Sequence, residues 1–328
     1  MSQNKPTNER SSLSARKLRG VLLPFPTPFD AAGEIDAAAL RANIERWNET
    51  GIGGYVALGS TGERVHLDER EYALIIETAR ACVPREMTFI AGAGQQGTDA
   101  TIKEVRLAAR AGADAVLVIT PHFYRGAMNH AALYKHYTAV ADASPVPLIL
   151  YSIPQNTGIA LAPETVARLG EHENINGIKD SSGEMVGFNE TLRLVRDDFA
   201  VLTGHAAVFY AALASGAHGA ILAAACAAPR LAVAIARAFD AGEHALALRL
   251  QRKLAPLARA VTTLHGIGGL KVALDLSGYA GGHVRAPLEM PDDAARPEIQ
   301  RLLDASALTP DEEKLLQTST EETSERFE

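Results

Sequence analysis

Eight short apolar runs recur along this chain, and each is separated from the next by a stretch of helical period. The runs fall at residues 20–29, 54–58, 88–91, 115–120, 147–152, 175–179, 200–203 and 219–223. Helical patterns occupy 36–50, 68–82, 98–111, 129–142, 163–170, 185–196 and 206–215, with Asp36 placed to cap the first. A strand followed by a helix returns the chain to the end it started from, so the strands must run parallel. Unbroken apolar runs such as Ala-Val-Leu-Val-Ile at 115–119 suit strands covered on both faces. Eight such units predict a (β/α)8 TIM barrel of about 250 residues. Residues 20–228 are assigned to the barrel. The remainder, 229–307, keeps a helical period with few β-branched runs and is expected to be a C-terminal helical extension. Residues 1–19 and the polar, acidic 308–328 are expected to be disordered tails.

Charge narrows the partners. The chain carries a net charge of -7, but its last eighteen residues hold seven acids and two bases, so the rest is close to neutral. No Lys/Arg-rich stripe with interleaved aromatics appears, which argues against nucleic acid and anionic membrane and in favour of small molecules. Cys82 and Cys226 lie in apolar surroundings without metal-ligand spacing and are expected to be buried, reduced thiols. The first twenty residues contain no apolar run resembling a secretory signal, and no apolar stretch is long enough to span a bilayer. A cytoplasmic protein is expected.

In a barrel of this kind chemistry belongs at the C-terminal ends of the strands, and each end carries something polar. The sixth reads Ile-Asn-Gly-Ile-Lys-Asp-Ser-Ser-Gly, 175–183. A lysine at the end of a buried strand must pair with an acid or lose its proton, and a neutral lysine attacks carbonyl carbon. On this stretch alone two readings stand level: a Schiff-base lysine at 179, or a structural lysine paired to a carboxylate such as Asp180.

Gly92 to Gly97 satisfies G-x-G-x-x-G between a strand and a helix. However, a helix cap follows the third glycine, and no acid ends the next strand, so NAD binding is disfavoured. Gly59 to Glu63, Gly-Ser-Thr-Gly-Glu, could cradle a carboxylate; alone it reads better as a capped turn. Tyr151 ends the fifth strand, where a phenol beside a Schiff base relays protons, or otherwise plugs the barrel mouth. His122 and His205, with Asp180 or Glu63, offer a weak metal set lacking any H-x-H or H-x-x-x-H spacing. No metal and no cofactor are expected.

Gly-Ser-Thr-Gly-Glu, then Tyr-Ser-Ile-Pro-Gln-Asn-Thr-Gly (151–158), then Gly-Ile-Lys-Asp-Ser-Ser-Gly (177–183) follow one another in this order. The combination resembles the dihydrodipicolinate synthase / N-acetylneuraminate lyase superfamily of class I aldolases, over about residues 20–303. The resemblance implies Lys179 as the Schiff-base lysine, Tyr151 as the proton relay, and Ser60 and Thr61 as binders of a 2-oxo acid's carboxylate. It also implies that Ile221, Gly204 and the region of Gly177 line the pyruvyl pocket. Two positions depart from the pattern. Asn156 stands where dihydrodipicolinate synthases usually carry an arginine that holds the aldehyde substrate's carboxylate. Phe123 stands where members commonly lend a tyrosine to a neighbouring subunit, leaving Tyr124 or a water to substitute.

Asn-Thr-Gly (156–158), Gly-Ile-Gly-Gly-Leu-Lys (266–271) and Arg-Ala-Pro-Leu (285–288) look most like the 4-hydroxy-2-oxoglutarate aldolase branch. By that resemblance Ser181 helps hold the distal part of the substrate. The expected activity is cleavage of a 4-hydroxy-2-oxo acid to pyruvate and an aldehyde, with 4-hydroxy-2-oxoglutarate giving pyruvate and glyoxylate as first choice. Alternatives are 4-hydroxy-tetrahydrodipicolinate synthase, a 2-oxo-3-deoxy sugar acid aldolase or dehydratase, and, from another class, a catalytically silent ligand-binding relative. A homo-oligomer, tetramer or dimer, is the expected assembly.

Overall fold

The computed structural model describes residues 15–313. Eight parallel strands, β1 (Gly20–Leu23), β2 (Gly54–Ala57), β3 (Thr88–Ala93), β4 (Ala115–Ile119), β5 (Leu148–Ser152), β6 (Ile175–Asp180), β7 (Ala200–Thr203) and β8 (Gly219–Ile221), close into a barrel. Each strand pairs with the next, and β8 pairs with β1 through Val21 opposite Ala220. Around the barrel run α1 (Ala37–Trp47), α2 (Glu69–Cys82), α3 (Thr98–Arg110), α4 (His130–Ala143), the short α5 (Pro154–Thr157), α6 (Pro163–Gly170), α7 (Met185–Leu194) and α8 (Phe209–Ala214). The C-terminal part is α9 (Pro229–Asp240), α10 (His244–Arg259), α11 (Gly266–Leu276) and α12 (Ala295–Ser306). The (β/α)8 barrel with C-terminal helices is therefore the fold.

The period-two alternation of the strands sorts their side chains into two cores. Leu22, Val56, Ile90, Leu117, Ile149, Leu202 and Ile221 fill the barrel interior, while their neighbours Leu23, Tyr55, Val116 and Leu150 face the helices. Helix starts follow local chemistry. Asp36 accepts from the Ala39 N–H at 2.9 Å, and Asp68 forms a reciprocal capping box with Glu71.

Three expectations about boundaries are corrected. Helix α9 follows β8 and packs on β1 and α8, so it supplies the eighth barrel helix, and the barrel runs past residue 228. A pattern of helices cannot show from sequence alone which one closes the ring. At the start, Ala15–Leu18 forms a 3-10 turn whose Leu18 plugs the barrel interior, so order begins before Gly20. At the end, Thr309 and Glu312 cap one another, and Lys253 binds the Glu312 carboxylate at 2.7 Å, which ties this segment to α10. Residues 1–14 and 314–328, expected to be disordered, lie outside the described residues. Cys226 is buried and Cys82 only half-buried; both are free thiols. Among the described residues no helix is long and apolar enough to cross a membrane.

The glycine motif at 92–97 has a packing explanation. A Cβ on Gly92 would meet the Leu58 carbonyl oxygen at 2.1 Å, and one on Gly94 (φ +128°) would meet Ile119 at 2.7 Å. These glycines let the ends of β2, β3 and β4 approach one another.

Candidate active site

The register of β5 and β6 sets Tyr151 directly beside Lys179. Ile178 faces the helices, so Lys179 is turned to the barrel interior, where it is 4% exposed. Its Nζ donates to Tyr151 Oη at 3.4 Å and lies 4.4 Å from the ring centroid. Tyr151, 3% exposed, packs among the interior side chains with Ile221. Its phenolic oxygen is 3.3 Å from Ser60 Oγ. Hydroxyl, phenol and amine thus form one chain across the ends of β2, β5 and β6.

The competing reading of Lys179 as one half of an ion pair with Asp180 is not what the structure contains. Adjacent strand residues point to opposite faces, and the Asp180 carboxylate accepts instead from the Ser182 N–H at 2.7 Å. Among the described residues Lys179 forms no salt bridge, and its hydrogen bond goes to the phenol. A buried amine without a carboxylate partner, beside a phenol, is suited to attack a carbonyl and pass protons to and from the adduct.

Gly204 sits against this lysine. A Cβ there would lie 1.9 Å from Ser181 Oγ and 2.8 Å from Lys179 Cε, so a larger residue would displace both. Ser181 is itself buried, and its N–H bonds the Ser152 carbonyl. Thr61 is buried next to Ser60 in the 3-10 turn Ser60–Gly62. Ser60, Thr61, Tyr151, Lys179, Ser181, Gly204 and Ile221 are therefore all strand-end or barrel-mouth residues.

Two other candidates stand apart. Asn156 is exposed on α5, whose Gln155 instead ties this turn to the carbonyls of Ser181 and Ser182. Phe123 is 73% exposed and packs edge-to-face on Tyr124, itself 72% exposed.

The weak metal set does not converge. Among the described residues no group of three or more His, Cys, Asp or Glu could hold an ion. Glu63 is engaged by Lys271 at 2.6 Å, and His122 by the Thr120 carbonyl and Gln96. His205 remains close to the site: its ring packs on Gly183, and its buried Nδ1 has no hydrogen-bond partner among the described residues.

Sequence reasoning overlooked the residues that hold the Ser60–Gly62 turn. Lys271 is fully buried and donates to Glu63, to the Thr27 carbonyl at 2.8 Å and to the His283 carbonyl. Arg285 donates its backbone N–H to Glu63 at 2.9 Å and its guanidinium to Glu71, Gly33 and His66. The signal was present, because a lysine inside the otherwise apolar 266–274 must, if buried, pair with an acid or lose its proton. Nothing local named which acid.

Known proteins resemble this chain over most of its length. The 4-hydroxy-tetrahydrodipicolinate synthase of Methanothrix thermoacetophila is 37% identical over 286 residues, covering 87% of this chain and 96% of the relative. That of Syntrophus aciditrophicus is 36% identical, covering 87% and 97%. Among solved structures, a dihydrodipicolinate synthase from Bacillus anthracis superposes with a TM-score of 0.84 at 29% identity, covering 89% of this chain and 99% of that one. A prophage protein of the dihydrodipicolinic acid synthase family from E. coli K12, solved in complex with pyruvate, gives 0.83 at 29% identity with the same coverage. A model of the Dihydrodipicolinate synthetase family matches residues 17–306. With the match running from the barrel plug to the last C-terminal helix, this chain belongs to the dihydrodipicolinate synthetase family of aldolase-type lyases.

Proposed function

We propose that this enzyme cleaves a 4-hydroxy-2-oxo acid to pyruvate and an aldehyde through an imine on Lys179, with 4-hydroxy-2-oxoglutarate, giving pyruvate and glyoxylate, as its substrate. The observation that carries the reading is the buried Lys179 amine, unpaired with any carboxylate among the described residues and 3.4 Å from the Tyr151 phenol.

Lys179 adds to the C2 ketone, and loss of water leaves a protonated imine. That cation accepts the electron pair released when C3–C4 breaks, giving an enamine. Tyr151 takes the C4 hydroxyl proton as the aldehyde forms, and Ser60 Oγ, 3.3 Å from the phenol, continues the relay. Protonation of the enamine at C3 and hydrolysis return pyruvate and free lysine. Ser60 and Thr61 hold the C1 carboxylate, fixing the imine so that the breaking bond lies parallel to its π system. Ser181 and the unpartnered Nδ1 of His205 suit the distal end of the substrate.

Asn156 supports the aldolase reading over the biosynthetic one, since it lacks the fixed charge of a guanidinium. The names of the relatives favour the second reading, 4-hydroxy-tetrahydrodipicolinate synthase. The exposed Phe123 and Tyr124 favour a homo-oligomer, and the composition a cytoplasmic one. Borohydride reduction in the presence of pyruvate, followed by peptide mass mapping, tests the chemistry: an adduct on any residue but Lys179, or none, ends it. A product assay with 4-hydroxy-2-oxoglutarate, against pyruvate plus aspartate semialdehyde, decides between the two substrates.

A further inference from the structure

The turn that carries Ser60 and Thr61 is flanked by two non-glycine residues in left-handed backbone, Leu58 at φ 58° and Glu63 at φ 55°. Each such residue is strained and persists only where its surroundings hold it. At the Glu63 end the holding groups are explicit. Its buried carboxylate accepts from Lys271 Nζ at 2.6 Å and from the Arg285 N–H at 2.9 Å, with His66 Nδ1 at 3.3 Å. Lys271 uses its remaining protons on the carbonyls of Thr27 and His283. Thr27 Oγ1 then donates to the Gly62 carbonyl at 2.7 Å. Two routes of hydrogen bonds therefore reach the turn, one on Glu63 and one on Gly62, and both trace back to one ammonium group on α11.

We propose that Lys271 is a positioning residue for substrate binding, holding Ser60 and Thr61 in place through Glu63 and Thr27 so that they can take the 2-oxo acid's carboxylate. It touches no substrate. The proposal rests on the reading of Lys179 as the imine-forming residue. The C-terminal extension thereby becomes part of the active site, since α11 supplies the ammonium and the 283–285 segment the second clasp on Glu63.

A lysine that only fastened α11 to the barrel would change the amount of folded enzyme and leave its affinity for pyruvate untouched. A positioning lysine changes the affinity. Full-length wild type, Lys271→Met and Glu63→Gln are each titrated with pyruvate under borohydride, and the adduct is mapped and quantified. The expected result is wild-type trapping at Lys179. Half-saturation in the variants rises about ten- to a hundredfold, and the adduct at saturating pyruvate, per folded enzyme, stays at the wild-type level. Half-saturation at the wild-type pyruvate concentration in the folded variants overturns the proposal, as does a loss at saturation with half-saturation unchanged. Should Lys271→Met not fold, Glu63→Gln decides alone, because its amide keeps one acceptor oxygen and loses the charge. No wild-type adduct on Lys179 sinks the imine reading itself, and the positioning role goes with it.

Discussion

Among the described residues two lysines are buried, and they share almost nothing else. Lys271 is fully buried between α11, the 283–285 segment and the loop after β1, and meets a carboxylate and two carbonyls. Burial pulls its pKa down and the Glu63 carboxylate opposes that; with three acceptors around three protons, the ammonium is the form the site is built for. Lys179 is nearly as buried but has a phenol for a neighbour. Burial by itself thus says little about what a lysine is for. The partner decides: three acceptors make a clasp, whereas a phenol leaves the nitrogen available to a carbonyl.

The largest test of that contrast is to remove the unpaired amine. Lys179→Ala is expected to lower kcat by several powers of ten and to abolish the borohydride adduct. Its melting temperature should stay within a few degrees of wild type, because no ion pair loses a partner. Pyruvate captured on Lys271 in this variant would break the distinction. Tyr151→Phe comes next. Loss of the relay should cost about 10²–10⁴ in kcat while pyruvate is still trapped on Lys179, since the phenol is assigned to C3–C4 cleavage. An adduct lost together with turnover would instead tie the phenol to imine formation.

Lys271→Met reverses the pattern in stability. Leaving the Glu63 carboxylate buried without its ammonium is expected to cost about 3–5 kcal/mol, read as a lower urea midpoint. Lys271→Met combined with Glu63→Leu should recover part of that loss, because no orphaned charge remains. If the single variant melts like wild type, Lys271 is not the clasp described here.

The two lysines also mark how far the sequence could be read. The barrel was legible because each strand and helix announces itself within a few residues. Lys179 stood out as a candidate because a strand-end position in this fold carries functional meaning. Its relation to Tyr151 required only that two consecutive strands pair in parallel. Lys271 and Glu63 lie 208 residues apart, and no period or local motif connects a helix of the extension to the loop after β2. Glu63 accordingly looked like a possible metal ligand. Gly204 is a milder case of the same kind: the sequence offers the glycine, but only the approach of Lys179 Cε and Ser181 Oγ gives the reason for it.

The smallest expected effect lies at the outer edge of the Lys271 network, and it asks how far that network reaches. Arg285 joins the buried Glu63, through its backbone N–H, to the partly exposed Glu71, through two guanidinium bonds of 2.7 and 2.8 Å. Those bonds hold the Glu71 carboxyl below its ordinary value of 4.5. A carboxylate whose pKa is lower folded than unfolded stabilises the folded state above its unfolded pKa, and that stability fades as pH falls through the folded one. Glu71→Gln should therefore match wild type in relative acid sensitivity above about pH 5 and lose less stability on acidification below pH 4.5. The difference should stay under about 1 kcal/mol, as suits a pair in contact with solvent. Urea midpoints taken across that range provide the measurement. An effect several times larger would mean that the surface pair, rather than the buried ammonium, fastens the 283–285 segment, and the clasp would have to be moved from Lys271 to Arg285.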